Sequence, residues 1–280
     1  MNNSYIATLL EGSALGSSIL GVVFGLVYIK QNYINNKKKI DIKLKVNINS
    51  ASSPAKYFFK SITNNYMIDI INEPLYIHNF NGKHHPCTVG KDNIELFYAP
   101  GIPGYSLLET DYCILQDIFT LFWNSLGLFN NIKIENEINL DNYICLHMRR
   151  GDKLIYEASL KVHMIEEYKI KIEEYNSNNS NNSNSTNNIL IVTDEYSTFL
   201  EFKEKCPDWN ITTTSSPLNI GFNITNINKD TLENIKIEVD RMMIDYKYIT
   251  NANYFIGTKS SNVSFIAKLL RKNCNTILLD

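Results

Sequence analysis

The chain has 280 residues, of which 44% are hydrophobic and 20% charged, with a net charge of -2. That is long enough for two lobes of about 140 residues and ordinary for a folded globular protein. It excludes a general electrostatic grip on nucleic acid, though not a local basic pocket. Five cysteines (Cys87, Cys113, Cys145, Cys206 and Cys274) stand far apart without a C-x-x-C pair. They read as reduced, mostly buried thiols, neither a disulfide framework nor a zinc site.

In chain order, the sequence predicts a strand over 5–10, a Gly/Ser loop over 11–18, a helix over 19–32 and a strand over 40–46. Residues 12–29 carry no charge, so a membrane anchor competes with a buried helix. Gly16, Gly21 and Gly25 dilute the run, and Lys30 and Lys37–Lys39 lie after it, not before. That charge bias is the reverse of a signal anchor with a cytoplasmic N-terminus, and it favours a buried helix. Residues 72–104 are rich in Pro and Gly and give no assignment. His78, His84, His85 and Cys87 fall there without the spacing of a common zinc finger, so a solvated loop is expected. A helical pattern returns over 111–126.

The second half alternates strands and helices. A strand over 143–147 precedes the polar cluster Arg149–Lys153, and a helix follows over 164–175. Residues 176–188 are almost pure Asn/Ser, a tract unable to bury apolar surface, and read as a disordered loop. Next come a strand over 189–192, a helix over 196–205 and a short strand over 209–213. Apolar residues at Leu232, Ile235, Val239, Met242, Tyr246 and Ile249 mark one face of a helix over 229–251, with Asp230 near its start. A strand over 254–257, a helix over 262–272 and a strand over 276–279 complete the pattern. Such alternation predicts an α/β protein with parallel sheets covered on both faces. Two Rossmann-like lobes are expected, 1–140 and 141–280, with polar clusters where ligands sit, at the carboxyl ends of the strands.

The richest cluster is His147-Met-Arg149-Arg150-Gly-Asp152-Lys153. Two guanidiniums at a strand's end suit a diphosphate, because planar donor forks match phosphate oxygens. The plainer alternative is a surface turn whose Arg and Asp neutralise one another. Ser260-Ser261-Asn262 opens a helix, where backbone N–H groups favour an anion; an ordinary helix cap explains the same residues. Glu157, taken alone, is a solvated loop acid.

The cluster resembles the H-x-R-R-x-D-K signature of the α1,6-fucosyltransferases and their relatives. Glu157-Ala158 and His163-Met-Ile-Glu-Glu-Tyr168 are similar to that family's next stretch, with two residues inserted. Ile191-Val-Thr-Asp194-Glu195 resembles its second motif. Asp245 and Gly257-Thr-Lys-Ser260-Ser261-Asn262-Val263 resemble its third, and Gly12–Ser18 its Gly-rich first loop. The resemblance implies a GT-B fold whose lobes face a central cleft, with the first lobe on the acceptor side and the second holding the nucleotide sugar. It implies that Arg149 holds the donor β-phosphate, supported by Arg150, with His147 and Asp245 on the guanine base. Ser260, Ser261, Asn262, Asp152, Asp194, Gly16 and Ser17 complete the implied donor contacts. Glu157 matches the family's proposed base, with Lys153 its partner.

The chain departs from the family at Ser17 or Ser18, where an amide is usual, at Glu195 for Asp, and at Asn262 for Gln; the long tail that braces the lobes in larger relatives is not expected here. No D-x-D occurs, so no metal is expected and the arginines must supply positive charge. The implied activity is inverting transfer of fucose from GDP-fucose to a glycan, with no cofactor and no nucleic-acid partner. An α1,2- or protein O-fucosyltransferase, or a silent nucleotide- or glycan-binding protein, are the alternatives. With no membrane span expected, the chain reads as cytoplasmic if complete, or Golgi-luminal if an upstream anchor has been removed.

Overall fold

The computed structural model describes residues 5–9, 15–34, 44–49, 51–62, 67–71, 87–91, 94–97, 109–126, 140, 142–151, 162–179, 186–271 and 275–279. The chain divides into two compact units, residues 1–131 with 224–240, and residues 132–223 with 241–280. A single boundary at 140 misses the return of 224–240 to the first unit.

The first unit holds β1 (Tyr5–Leu9), α1 (Leu15–Ile34), β2 (Leu44–Asn47), α2 (Ser53–Ser61), β3 (Ile68–Ile71), β4 (Cys87–Lys91), β5 (Ile94–Phe97) and α3 (Glu109–Leu126). Its sheet has the order β3-β2-β1-β4-β5. The β1–β2 and β2–β3 pairs are parallel, whereas β4 and β5 run antiparallel to their neighbours. The sheet is therefore mixed and not parallel throughout. The physical reason is local: Lys91 and Ile94 pair across a two-residue connection, which can reverse a strand, while a parallel return needs a dozen residues or more.

Helix α1 is the centre of this unit and touches β1, β2, β4, α2 and α3. Ile19, Leu20, Val22 and Val23 are completely buried, so the uncharged run is core. No helix among the described residues is long and apolar enough to cross a membrane. The helix begins at Leu15, four residues before the expected start, because Leu15 and Ser18 are already buried. Gly16 and Ser17 thus lie in its first turn, not in a loop. In the returning segment, Asn228 binds Ser53 twice, accepting its N–H at Oδ1 (2.8 Å) and its hydroxyl at the carbonyl (3.1 Å).

The second unit contains β6 (Ile144–Met148), α4 (Ile165–Asn178), β7 (Asn188–Thr193), α5 (Tyr196–Lys205) and β8 (Asn210–Thr213). After α6 (Ile224–Ile227) and the start of α7 (Leu232–Asn251), it continues with β9 (Tyr254–Thr258), α8 (Asn262–Leu270) and β10 (Thr276–Leu279). Its sheet is wholly parallel, in the order β10-β9-β6-β7-β8. Counted within the unit, that is the Rossmann order, with the first and fourth strands side by side at the switch point.

Alternation along the strands builds two cores. Ile144, Leu146, Met148, Ile189, Ile191 and Ile256 face α4 and α5, where they meet Tyr168, Ile172, Phe199 and Phe202. Cys145, Leu190, Val192 and Phe255 face the other way, onto Tyr248 and Ile249 of α7, Ala252 just past its end, and Ala267 of α8. Both faces being covered, the strands are apolar throughout. Helix α4 starts where Glu167 turns back to accept the Met164 N–H (2.9 Å), and Glu166 and Glu167 suit its positive end. The Asn/Ser tract begins inside α4, and its ends are clamped by two 3.0 Å bonds between the Asn176 amide and the Thr186 backbone.

Candidate functional site

The switch point of the second sheet lies between β6 and β9. The turn Arg149–Gly151 leaves β6, and Lys259–Ser261 leaves β9 toward α8. The chain leaves β6 for α4 on one face and β9 for α8 on the other, the arrangement that marks the ligand end of sheets with this strand order.

Asp194, at the end of β7, organises the first turn. Its Oδ2 accepts a bond from Arg149 Nη1 and one from the Phe222 N–H (3.0 Å), while Oδ1 accepts the Arg150 N–H (2.9 Å). Its carbonyl accepts the Gly221 N–H (3.0 Å). The Arg149 and Asp194 side chains are only 14% and 11% exposed, so this is a sheltered pair. The Phe222 ring lies 5.2 Å from the Arg149 guanidinium carbon and adds a cation–π contact.

The close fit requires glycine at two positions. Gly151 has φ +59°, and a Cβ there would sit 2.6 Å from Asp194 Oδ2 and from the Phe222 carbonyl. Gly221 has φ +99°, and its Cβ would meet the Gly151 Cα at 2.8 Å. The loop after β8 is thus seated directly on the arginine turn.

Arg150 has a different task. Its backbone joins the Asp194 cluster, but both Nη atoms reach the His163 carbonyl at 3.3 Å. The side chain therefore ties residue 150 to residue 163, across the segment that carries Glu157. Asp152, Lys153 and Glu157 lie outside the described residues.

His147 is buried on the face shared with α7 and α8. Its Nδ1 is 2.7 Å from Ser264 Oγ, and its carbonyl accepts the Tyr168 hydroxyl at 3.2 Å. Asp245 acts electrostatically on the buried Cys145 thiol, two residues before His147 on the same side of β6. Burial holds that thiol protonated far above its usual range. Ser261, buried, stands at the N-terminus of α8 without a side-chain cap bond; Ser260 and Asn262 flank it, half-buried. The N-terminus of α8 lies at this end of the sheet. Gly16 and Ser17 belong to the first unit.

The other well-held cation has no place here. Arg271, buried, donates to the carbonyls of Ile249, Ala252, Asn253 and Asn275 and to Thr276 Oγ1. These acceptors precede β9 and β10 or lie at the start of β10, at the opposite end of the sheet. Burial lowers its pKa to about 10.

The family model for alpha-(1,6)-fucosyltransferase N- and catalytic domains matches residues 133–275, just over half of the chain. The chain belongs to this family. By that membership it is a glycosyltransferase of the fucosyltransferase class. Among solved structures, it is similar to NodZ alpha-1,6-fucosyltransferase, in a crystal soaked with GDP-fucose, at 12% identity and a TM-score of 0.47. That match covers 98% of this chain and 94% of the other. No curated protein is similar enough in sequence to count as a match.

In this fucosyltransferase the sequence motifs named Arg149 and Asp194 but not the groups that join them. Phe222 and Gly221 lie 28 and 27 residues past Asp194, in a stretch with no periodic pattern. The usable signal was an isolated Gly-Phe after Ser-Ser-Pro, a turn composition. Ser264 carries no sequence signal beyond its place in a helix.

Proposed function

We propose that this fucosyltransferase transfers fucose from GDP-fucose to a glycan hydroxyl with inversion and without a metal, in the α1,6-like manner. The observation that carries the reading is the placement of Arg149. It leaves the central strand at the switch point of a Rossmann-ordered sheet, with its guanidinium oriented by Asp194 and Phe222. A planar cation held in one orientation is suited to the diphosphate of a nucleotide sugar.

In this mechanism the acceptor oxygen attacks the anomeric carbon of fucose from the face opposite the diphosphate. The bond from that carbon to the β-phosphate oxygen breaks, and its electron pair leaves with GDP. Arg149 stabilises the growing negative charge, with the N–H groups at the start of α8 as further donors. Glu157, with Lys153 as its partner, takes the acceptor proton. His147 and Asp245 meet the guanine base. Asp152, Ser260, Ser261 and Asn262 complete the donor contacts, and Arg150, bonded to the His163 carbonyl, supports the turn that carries Arg149.

Binding and turnover together test this. GDP at about 100 times its Kd should stabilise the protein by about 2.7 kcal/mol, and UDP at the same concentration should not. Arg149→Ala should weaken GDP binding roughly ten- to hundred-fold and abolish transfer. Glu157→Gln should bind GDP normally and lose about 10²- to 10⁴-fold in turnover. Equal stabilisation by GDP and UDP refutes the donor assignment, and near-normal turnover of Glu157→Gln refutes the base.

A further inference from the structure

The two central strands of the second sheet part before either of them ends. The ladder between β6 and β9 stops at the pair Leu146 and Ile256. Strand β6 runs on beside β7 to the pair Met148 and Thr193, and β9 runs on beside β10 to the pair Thr258 and Leu279. At the start of the β6–β9 ladder the Tyr254 N–H faces the Tyr143 carbonyl (3.5 Å), and in a parallel pair such bonds recur at every second residue. Carried on unbroken, the ladder would bring the Thr258 N–H to the His147 carbonyl. Both groups bond elsewhere.

The Thr258 N–H donates to Ser264 Oγ (3.1 Å), and the His147 carbonyl accepts the Tyr168 hydroxyl (3.2 Å). Ser264 belongs to α8 on one face of the sheet and Tyr168 to α4 on the other, and both are buried. One ladder bond is thus replaced by two side-chain bonds, one from each face. The backbone is shaped to allow this. A Cβ on Gly257 would stand 2.5 Å from Ser264 Oγ and 2.7 Å from Ser264 Cβ, so β9 carries glycine where Ser264 reaches its main chain. Arg149 follows the parted end of β6, and Lys259–Ser261 follows the parted end of β9.

We propose that Tyr168 and Ser264 are positioning residues that hold β6 and β9 apart at the switch point, keeping that end of the sheet open for the nucleotide. A buried N–H and carbonyl placed in register across two strands otherwise bond to each other, because leaving either unpaired is costly. Each of the two hydroxyls removes one member of that pair from the ladder. The service to the nucleotide rests on the donor reading above; the parting itself does not.

Tyr168→Phe and Ser264→Ala each remove one hydroxyl and test this singly and together, with a cooperative melt checked for each. In deuterated, isotope-labelled protein, scalar coupling across a hydrogen bond from the Thr258 nitrogen to the His147 carbonyl carbon should be absent from the wild type and present in the double variant. Each single variant should lower the folding constant roughly three- to ten-fold, the size of one hydrogen bond. The double variant should lose less than the product of the two, because the ladder bond then forms. Its GDP affinity should show no such recovery, falling at least about ten-fold below the wild type and below either single variant. Tyr168→Phe leaves the contact of the His147 ring with Ser264 in place, so its weaker GDP binding reports the strand end alone. The coupling in the wild type overturns the proposal. So do additive losses, up to a double variant that does not fold, and so does a closed double variant that binds GDP as the wild type does. A wild type that binds no GDP, while the double variant closes, upholds the parting and refutes the donor reading instead.

Discussion

Replacing Asp194 by Asn sets two physical effects against each other. Asp194 accepts N–H groups from Arg149, Arg150 and Phe222 through its two oxygens. Asn has one oxygen, so either orientation of the amide turns at least one acceptor into a donor facing a donor. Each charge-assisted bond of this kind is worth about 1.5–3 kcal/mol. If its loss frees the Arg149 guanidinium, GDP affinity should fall ten-fold or more. The field of the carboxylate predicts the reverse. A negative charge about 7 Å from a phosphate repels it by about 2 kcal/mol at an effective dielectric near 20, so its removal alone should tighten binding. We expect orientation to win, because a phosphate in an open crevice is solvated and the repulsion shrinks accordingly. Calorimetry with GDP on the wild type, Asp194→Asn, Arg149→Ala and the double variant decides it. Asp194→Asn should bind at least ten-fold more weakly, and the double variant no worse than Arg149→Ala, since Asp194 acts through Arg149. Tighter binding by Asp194→Asn, or additive losses in the double variant, would refute the reasoning.

Gly151→Ala should cost more than about 2 kcal/mol, because its positive φ and the 2.6 Å approach to Asp194 and Phe222 combine; an unchanged urea midpoint would show that the two loops are not closely seated. Stability should also fall between pH 9 and 12. Burial raises the Cys145 thiol from its ordinary 9.0, and raises Tyr246 and Tyr254, the latter from 10.0 to about 12. The folded chain therefore keeps protons that the unfolded chain releases, and rising pH favours unfolding. The urea midpoint at pH 10.5 should lie below that at pH 8, and an equal or higher midpoint contradicts the assignment.

Much of the second unit was legible because its strands are covered on both faces. Residues 189–192, 254–257 and 276–279 are apolar runs bounded by polar turns, and the helix over 196–205 has the predicted ends. The first unit was less legible. Helix α1 is apolar on nearly every side, so periodicity could not place its start, and Gly16 and Ser17 looked like a loop. Cys87–Lys91 and Ile94–Phe97 are short strands in a Pro- and Gly-rich stretch, and only their cross-strand pairing defines them. At the site, motifs found Arg149, Asp194 and His147, each adjoining a recognisable strand. They could not find Phe222 or Ser264, whose roles arise from partners 73 and 117 residues away. Nothing local announces such a contact.

The pairing of β6 with β9 also bears on how the protein is made. Ile144 pairs with Tyr254, so about 110 residues must be synthesised between them. At about 5–20 residues per second, one long edge of β6 waits roughly 5–20 s on the ribosome without its neighbour. Throughout that interval Ile144, Cys145 and Leu146 offer an apolar, hydrogen-bonding edge to any other nascent strand. Conditions that slow elongation over 200–254 should therefore lower the yield of soluble protein more than the same delay after residue 258.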